Sequence, residues 1–273
     1  MVFNVSDLDE TETPLLDHLI ELRRRLLRAV LALIAAFAVC LPFSDNIFGL
    51  LVRPLTAAFP SGQGRLIYTK LYEAFFVEVK VGIFAAFFLA FPIIANQLWA
   101  FVAPGLYAKE KKAFLPFLFA SPILFIMGAS LAYFFVMPTA FKWFIGFEGS
   151  AGGLQQEALP AMGEYLDLVM QFILAFGASF QLPVLMLLLN RAGIVRHETM
   201  AKSRRYVIVA IFIVAAVITP PDVVSQLMLA VPLLILFEGS LLIMKLGGGP
   251  AKAEDEPTET GPAERDANEE PAA

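Results

Sequence analysis

"HLIELRRRLLRAV" runs from His18 to Val30 and leads straight into an unbroken apolar run. One carboxylate, Glu21, stands beside Arg23, Arg24 and Arg25, with Arg28 a turn further on. Cations massed at the mouth of an apolar segment are what anchors a membrane helix on its positive side. Leu15, Leu19, Leu22 and Leu26 recur at helical spacing, a stripe expected to lie against neighbouring helices. Glu21 is three and four residues ahead of Arg24 and Arg25, so pairing within the helix is available. Either Glu21 tempers the basic anchor, or it holds something that arrives from solution.

Outward from that entrance the chain repeats the pattern. Of 273 residues 58% are hydrophobic and the mean hydropathy is +0.72, a balance that leaves too little polar surface for a soluble domain. A helix crosses the hydrocarbon core with about 20 apolar residues, and such runs fall near 26–43, 74–98, 113–138, 163–190, 206–219 and 223–244. The fold class expected is therefore an all-α integral membrane protein, a bundle of six transmembrane helices. A polar segment over 1–13 precedes the helical domain at 14–245, and an acidic, disordered tail over 246–273 follows it. Residues 250–273 carry a net charge of −6 against +1 for the rest, with nothing apolar to bury. The first run follows about 20 polar residues and lacks a small-residue cleavage site, so it reads as a retained span.

Basic residues orient the bundle. Twelve stand in the segments on the amino-terminal side of the membrane, against Arg53, Arg65, Lys70 and Lys142 on the other. The positive-inside rule places both termini in the cytoplasm. Pro92, Pro116, Pro122, Pro138, Pro183 and Pro232 lie in or beside the spans, and each removes a backbone donor, so the bundle should be bent. The fifth span, Tyr206 to Ile218, reaches only roughly 20 Å where the core is about 30 Å thick. Local thinning or a packed partner must make up the difference.

Few side chains offer chemistry. Cys40 is the single cysteine, His18 and His197 are far apart, and no metal-ligand spacing, nucleophile–base pair or phosphate-cradling loop is present, so neither an enzyme nor a metal or cofactor site is expected. Nothing points to nucleic acid. A second cationic cluster, "QLWAFVAPGLYAKEKKAF" from Gln97 to Phe114, sets Glu110 among Lys109, Lys111 and Lys112, with Trp99, Phe101 and Tyr107 expected at the interface. Two cytoplasmic helix ends thus each offer one acid ringed by cations. A guanidinium donates two parallel hydrogen bonds to a carboxylate, so a ligand with adjacent arginines could use both acids. Elsewhere Gln181 lies mid-span and needs a partner. Glu164 and Asp167 fall near an outer helix end, Lys80 and Glu78 near another, where Lys can snorkel. Glu238 is an intramembrane acid without an evident partner, and Asp222 is placed to cap the last helix.

Four motifs in order, "HLIELRRRL", "LWAFVAPGLYAKEKK", "FGASFQLPV" and "TPPDVVSQ", resemble the TatC family, the multispanning receptor subunits of the twin-arginine protein translocase. The resemblance covers about residues 14–245. It implies a glove-like bundle in the cytoplasmic membrane that binds twin-arginine signal peptides of folded precursor proteins. It also implies work in a hetero-oligomer with TatA- and TatB-type single-span subunits, driven by the proton motive force. On this chain it implies that Glu21 and Glu110 receive the arginine pair, with Arg23, Arg25 and Phe101 in the same site. Pro54 matches the family's first outer loop and Asp222 its last outer turn, while Thr219 and Gln226 match the patch where a partner helix docks. Many members carry Glu where Gln181 stands, and an amide cannot release a proton. Two other readings compete: a proton-coupled secondary transporter of a small solute, using Glu238 or Glu164, and a passive scaffold for other spans.

Overall fold

The computed structural model describes residues 6–59, 64–102, 111–151, 154–191, 194–219 and 222–246, the side chains of 6–18, 102, 111–115, 151 and 155 excepted. Within these the regular structure is helical apart from a two-stranded antiparallel hairpin, β1 (Gly149–Ala151) with β2 (Leu154–Gln156), and an isolated bridge between Ile67 and Ala161. Five helical stretches are long and apolar enough to cross a membrane: Leu19–Thr56, Glu73–Phe101, Pro116–Ile145, Met162–Arg191 and Val223–Leu246. Helix α9 (Arg204–Ile218), the expected fifth span, has 15 residues, about 22 Å, and is shorter than any of them.

Helix α1 (Ser6–Cys40) turns through a 3-10 segment, Leu41–Phe43, into α2 (Ser44–Thr56). It packs on α3 (Glu73–Val102) through Ala36 and Cys40 against Ala86 and Ala90, small side chains that let two backbones approach. The leucine stripe does not take part: Leu19, Leu22 and Leu26 are 58%, 39% and 59% exposed. Around lipid, apolar periodicity no longer marks the packed face, because the solvent is as apolar as Leu.

Helix α4 (Lys111–Leu131) passes through a π-helical turn, Ala132–Val136, into α5 (Met137–Ile145). It crosses α6 (Met162–Ser179) at a reciprocal notch. A Cβ on Gly128 would stand 2.5 Å from the Phe176 carbonyl oxygen, and one on Gly177 would stand 2.6 Å from the Phe125 ring. Phe125 in turn stacks on Phe91 at 3.8 Å between centroids. The chain then breaks at Phe180–Gln181 and resumes as α7 (Leu182–Arg191), with Pro183 in its first turn, where a missing N–H is tolerated. A short α8 (His197–Lys202) leads to α9, and α10 (Val223–Leu246) closes the bundle.

Pro54 belongs to α2 rather than to a loop. A proline there leaves the Leu50 carbonyl without its helical partner, and the Tyr133 hydroxyl donates to that carbonyl at 2.7 Å. The Tyr165 hydroxyl donates to the next one, Leu51, also at 2.7 Å. Below this point lies the main core, where Phe172, Phe176 and Phe237 are buried among α4, α6 and α10.

Candidate functional site

Glu21 accepts two hydrogen bonds from Arg25, from Nε at 2.9 Å and Nη2 at 2.5 Å, on one carboxylate oxygen. Both side chains are half-buried, while Arg23, Arg24 and Arg28 are exposed. Gly82 faces Phe37 and Leu41, and the same contact surface takes in Ala32 and Ile94, so α1 and α3 run antiparallel. Glu21 lies eleven residues before Ala32, about 16 Å along the helix, which brings it level with the end of α3. Phe101 stands half-buried in that last turn. Glu110, Lys109 and Tyr107 lie outside the described residues, so the expected meeting of Glu21 with Glu110 is not among the observed contacts. Trp99, expected at the interface, is buried within the protein, and its indole is hydrogen-bonded.

A largely apolar cleft of about 840 Å³ opens beside this end, lined by Phe87, Phe91, Ser121, Gln181, Val214 and Leu233 among others. Its polar groups are joined. Trp99 Nε1–H donates to Ser121 Oγ at 3.0 Å, the Ser121 hydroxyl donates to Gln181 Oε1 at 2.8 Å, and Gln181 Nε2–H donates to the Ser121 carbonyl at 2.9 Å. Gln181 therefore sits at the α6–α7 break with both ends of its amide engaged. Such an arrangement lets polar groups line an apolar cleft without the penalty of an unpaired donor or acceptor.

At the opposite end, Asp222 Oδ1 accepts the Ser225 backbone N–H at 2.7 Å and caps α10 as expected. Asp222 Oδ2 and Ser225 Oγ are buried without a hydrogen-bond partner among the described residues. Thr219 is buried, with its hydroxyl on the Ala215 carbonyl, and Gln226 donates its amide to the Phe212 carbonyl. The polar groups expected to receive a partner helix are thus bonded within their own hairpin. Gln171 adds a donor to the Ile218 carbonyl at 2.6 Å. Pro54 lies with α2, Tyr133 and Tyr165 and away from this turn's hydrogen bonds.

The isolated acids find partners. Glu238 pairs with Arg204 at 3.0 Å, both about half exposed, so it is not a buried proton carrier. Lys80 reaches both oxygens of Asp167, at 2.8 and 2.9 Å, instead of snorkelling alone. Sequence reasoning passed over Ser121, Tyr133, Tyr165 and Glu73. The Glu73 carboxylate accepts from the backbone of Thr69, Lys70 and Gly163, tying the 64–72 loop to the start of α6. Only Tyr133 had a signal: a proline inside an apolar helix implies a carbonyl in need of a donor.

The family model described as Sec-independent protein translocase protein (TatC) matches residues 17–232. A TatC protein of Magnetococcus marinus is 49% identical over 232 residues, 85% of this chain and 84% of that one. The Escherichia coli K12 TatC protein is 37% identical over 247 residues, 90% and 94% of the two chains. A crystal structure of the twin-arginine translocase receptor TatC superimposes with a TM-score of 0.72 at 36% identity, covering 84% of this chain and 98% of that one.

Proposed function

Since this chain belongs to the TatC family of Sec-independent protein translocase proteins, we propose that it is the receptor and core subunit that captures twin-arginine signal peptides. In this reading it spans the cytoplasmic membrane six times, α9 included, with both termini in the cytoplasm. Glu21 and Glu110 take the two guanidinium groups, and the apolar stretch of the signal enters the cleft. TatA- and TatB-type single-span subunits complete the complex, and the proton motive force drives transport.

The observation that carries the proposal is the pairing of Glu21 with Arg25. A carboxylate level with the end of α3 already receives a guanidinium through two N–H groups, and a peptide arginine could take the place of Arg25. A part-exposed ion pair contributes only about 0–1 kcal/mol, so the exchange costs little. Phe101 offers an apolar surface at the same helix end. The transporter reading loses ground because Glu238 is held by Arg204 in an exposed pair.

The test is site-specific crosslinking to a labelled twin-arginine peptide in membranes. Glu21→Ala with Glu110→Ala should abolish the crosslink while leaving membrane insertion intact, and an unchanged crosslink rules the site out. Arg25→Ala, which vacates Glu21, should tighten binding about two- to fivefold, in line with the small value of a part-exposed pair.

A further inference from the structure

Among the described residues the buried side chains form three clusters, one between α1 and α3 and two that adjoin near the α6–α7 break. The large core is built on Phe172, Phe176 and Phe237. A separate, smaller one joins Ala95 and Trp99 of α3, Phe117 of α4, and Val184 and Leu188 of α7. The small core therefore collects both flanks of the 103–110 segment, which carries Glu110, together with one face of α7, whose Met186 belongs to the large core. Its polar boundary with the cleft is the Trp99–Ser121–Gln181 chain.

Ser121 is the middle of that chain. It is 1% exposed, its hydroxyl both accepts from Trp99 and donates to Gln181, and its carbonyl accepts the other end of the Gln181 amide. Linked hydrogen bonds of this kind polarise and strengthen one another, so losing one weakens the rest. At the joint the helix is already interrupted: the Gln181 N–H turns back to the Ala178 carbonyl at 3.0 Å, and Pro183 has no N–H to give. The Gln181 side chain ties this interruption to α4.

We propose that Ser121 is a positioning residue, a latch that holds Gln181 of this joint against α4, and that Trp99 couples the latch to the peptide-binding end. Trp99 stands two residues before Phe101. Displacement of the α3 end on peptide capture withdraws the indole N–H from Ser121, and the Gln181 amide then turns into the cleft. The coupling rests on the receptor reading above, whereas the latch itself does not.

The experiment uses the full chain in bilayer nanodiscs, with Cys40→Ala and Ala175→Cys giving a single thiol buried in the cleft lining a turn before the break, and maleimide labelling as the readout. Ser121→Ala should speed labelling about tenfold without any peptide, and Trp99→Phe, which removes one donor only, about threefold, as expected for losing two or one of these hydrogen bonds. A twin-arginine peptide should speed labelling of the otherwise unaltered chain toward the Ser121→Ala rate and add nothing in that variant. Labelling of both variants at the unaltered rate overturns the latch whatever the peptide does. A peptide that binds without changing the rate overturns the coupling, and a peptide that fails to bind overturns the receptor reading alone.

Discussion

Pro54 and Pro183 each delete one backbone N–H from an apolar helix, and the chain answers the two losses in opposite ways. At Pro54 the helix continues, because Tyr133 and Tyr165 bring hydroxyl donors to the Leu50 and Leu51 carbonyls. At Pro183 the helix stops at Ser179 and restarts at Leu182, and the Gln181 side chain between them is bonded to Ser121 of α4. The first region is made a scaffold by donors from two other helices. The second is made a joint, at the border of a core of five buried residues. Regions that open at low free energy are where binding motions are found, which fits the joint and not the scaffold.

The largest effect that could break this contrast lies in the cores. Phe172→Ala empties a fully buried scaffold site and should lower stability by about 2–3 kcal/mol, the cavity share of the loss seen in soluble cores, since lipid is itself apolar. Phe117→Ala, at the edge of the smaller core, should lose about half as much. Equal shifts in thermal unfolding of the purified protein would leave no reason to treat the two regions differently. Next comes the tyrosine rescue. Tyr133→Phe should cost about 1 kcal/mol, and far less when Pro54→Ala has restored the N–H that Leu50 lacks, so a double-mutant cycle must show coupling. Simple additivity would mean that Tyr133 does not stand in for the missing donor. The smallest effect is at Lys80–Asp167, an exposed pair joining α3 to α6. Lys80→Gln should change stability by less than about 1 kcal/mol, and a larger loss would make the scaffold partly electrostatic.

What was legible in the sequence was local. The apolar runs, the Asp222 cap and the Glu21–Arg25 pair all follow from residues within one or two turns of each other, and the Pro183 kink from a single residue type. What was not legible joins distant positions: Trp99 with Ser121, Ser121 with Gln181, Tyr133 with Leu50, and Lys80 with Asp167 are separated by 22, 60, 83 and 87 residues. The Leu19, Leu22 and Leu26 stripe misled for a different reason. In water an apolar stripe must find a protein partner, whereas in a bilayer it can face lipid without penalty. Glu238 looked anomalous only because Arg204, 34 positions earlier, could not be seen beside it.

The π turn at Ala132–Val136 bears on how this chain tolerates changes of length. A π turn is a helix that has absorbed one surplus residue. Removing Phe134, whose ring is 66% exposed, would let ordinary α geometry resume with Phe141 and Ile145 still turned inward. A one-residue excision elsewhere in the same rod would swing everything after it by about 100°. This turn is therefore the point at which the rod can be shortened without unpacking what lies beyond.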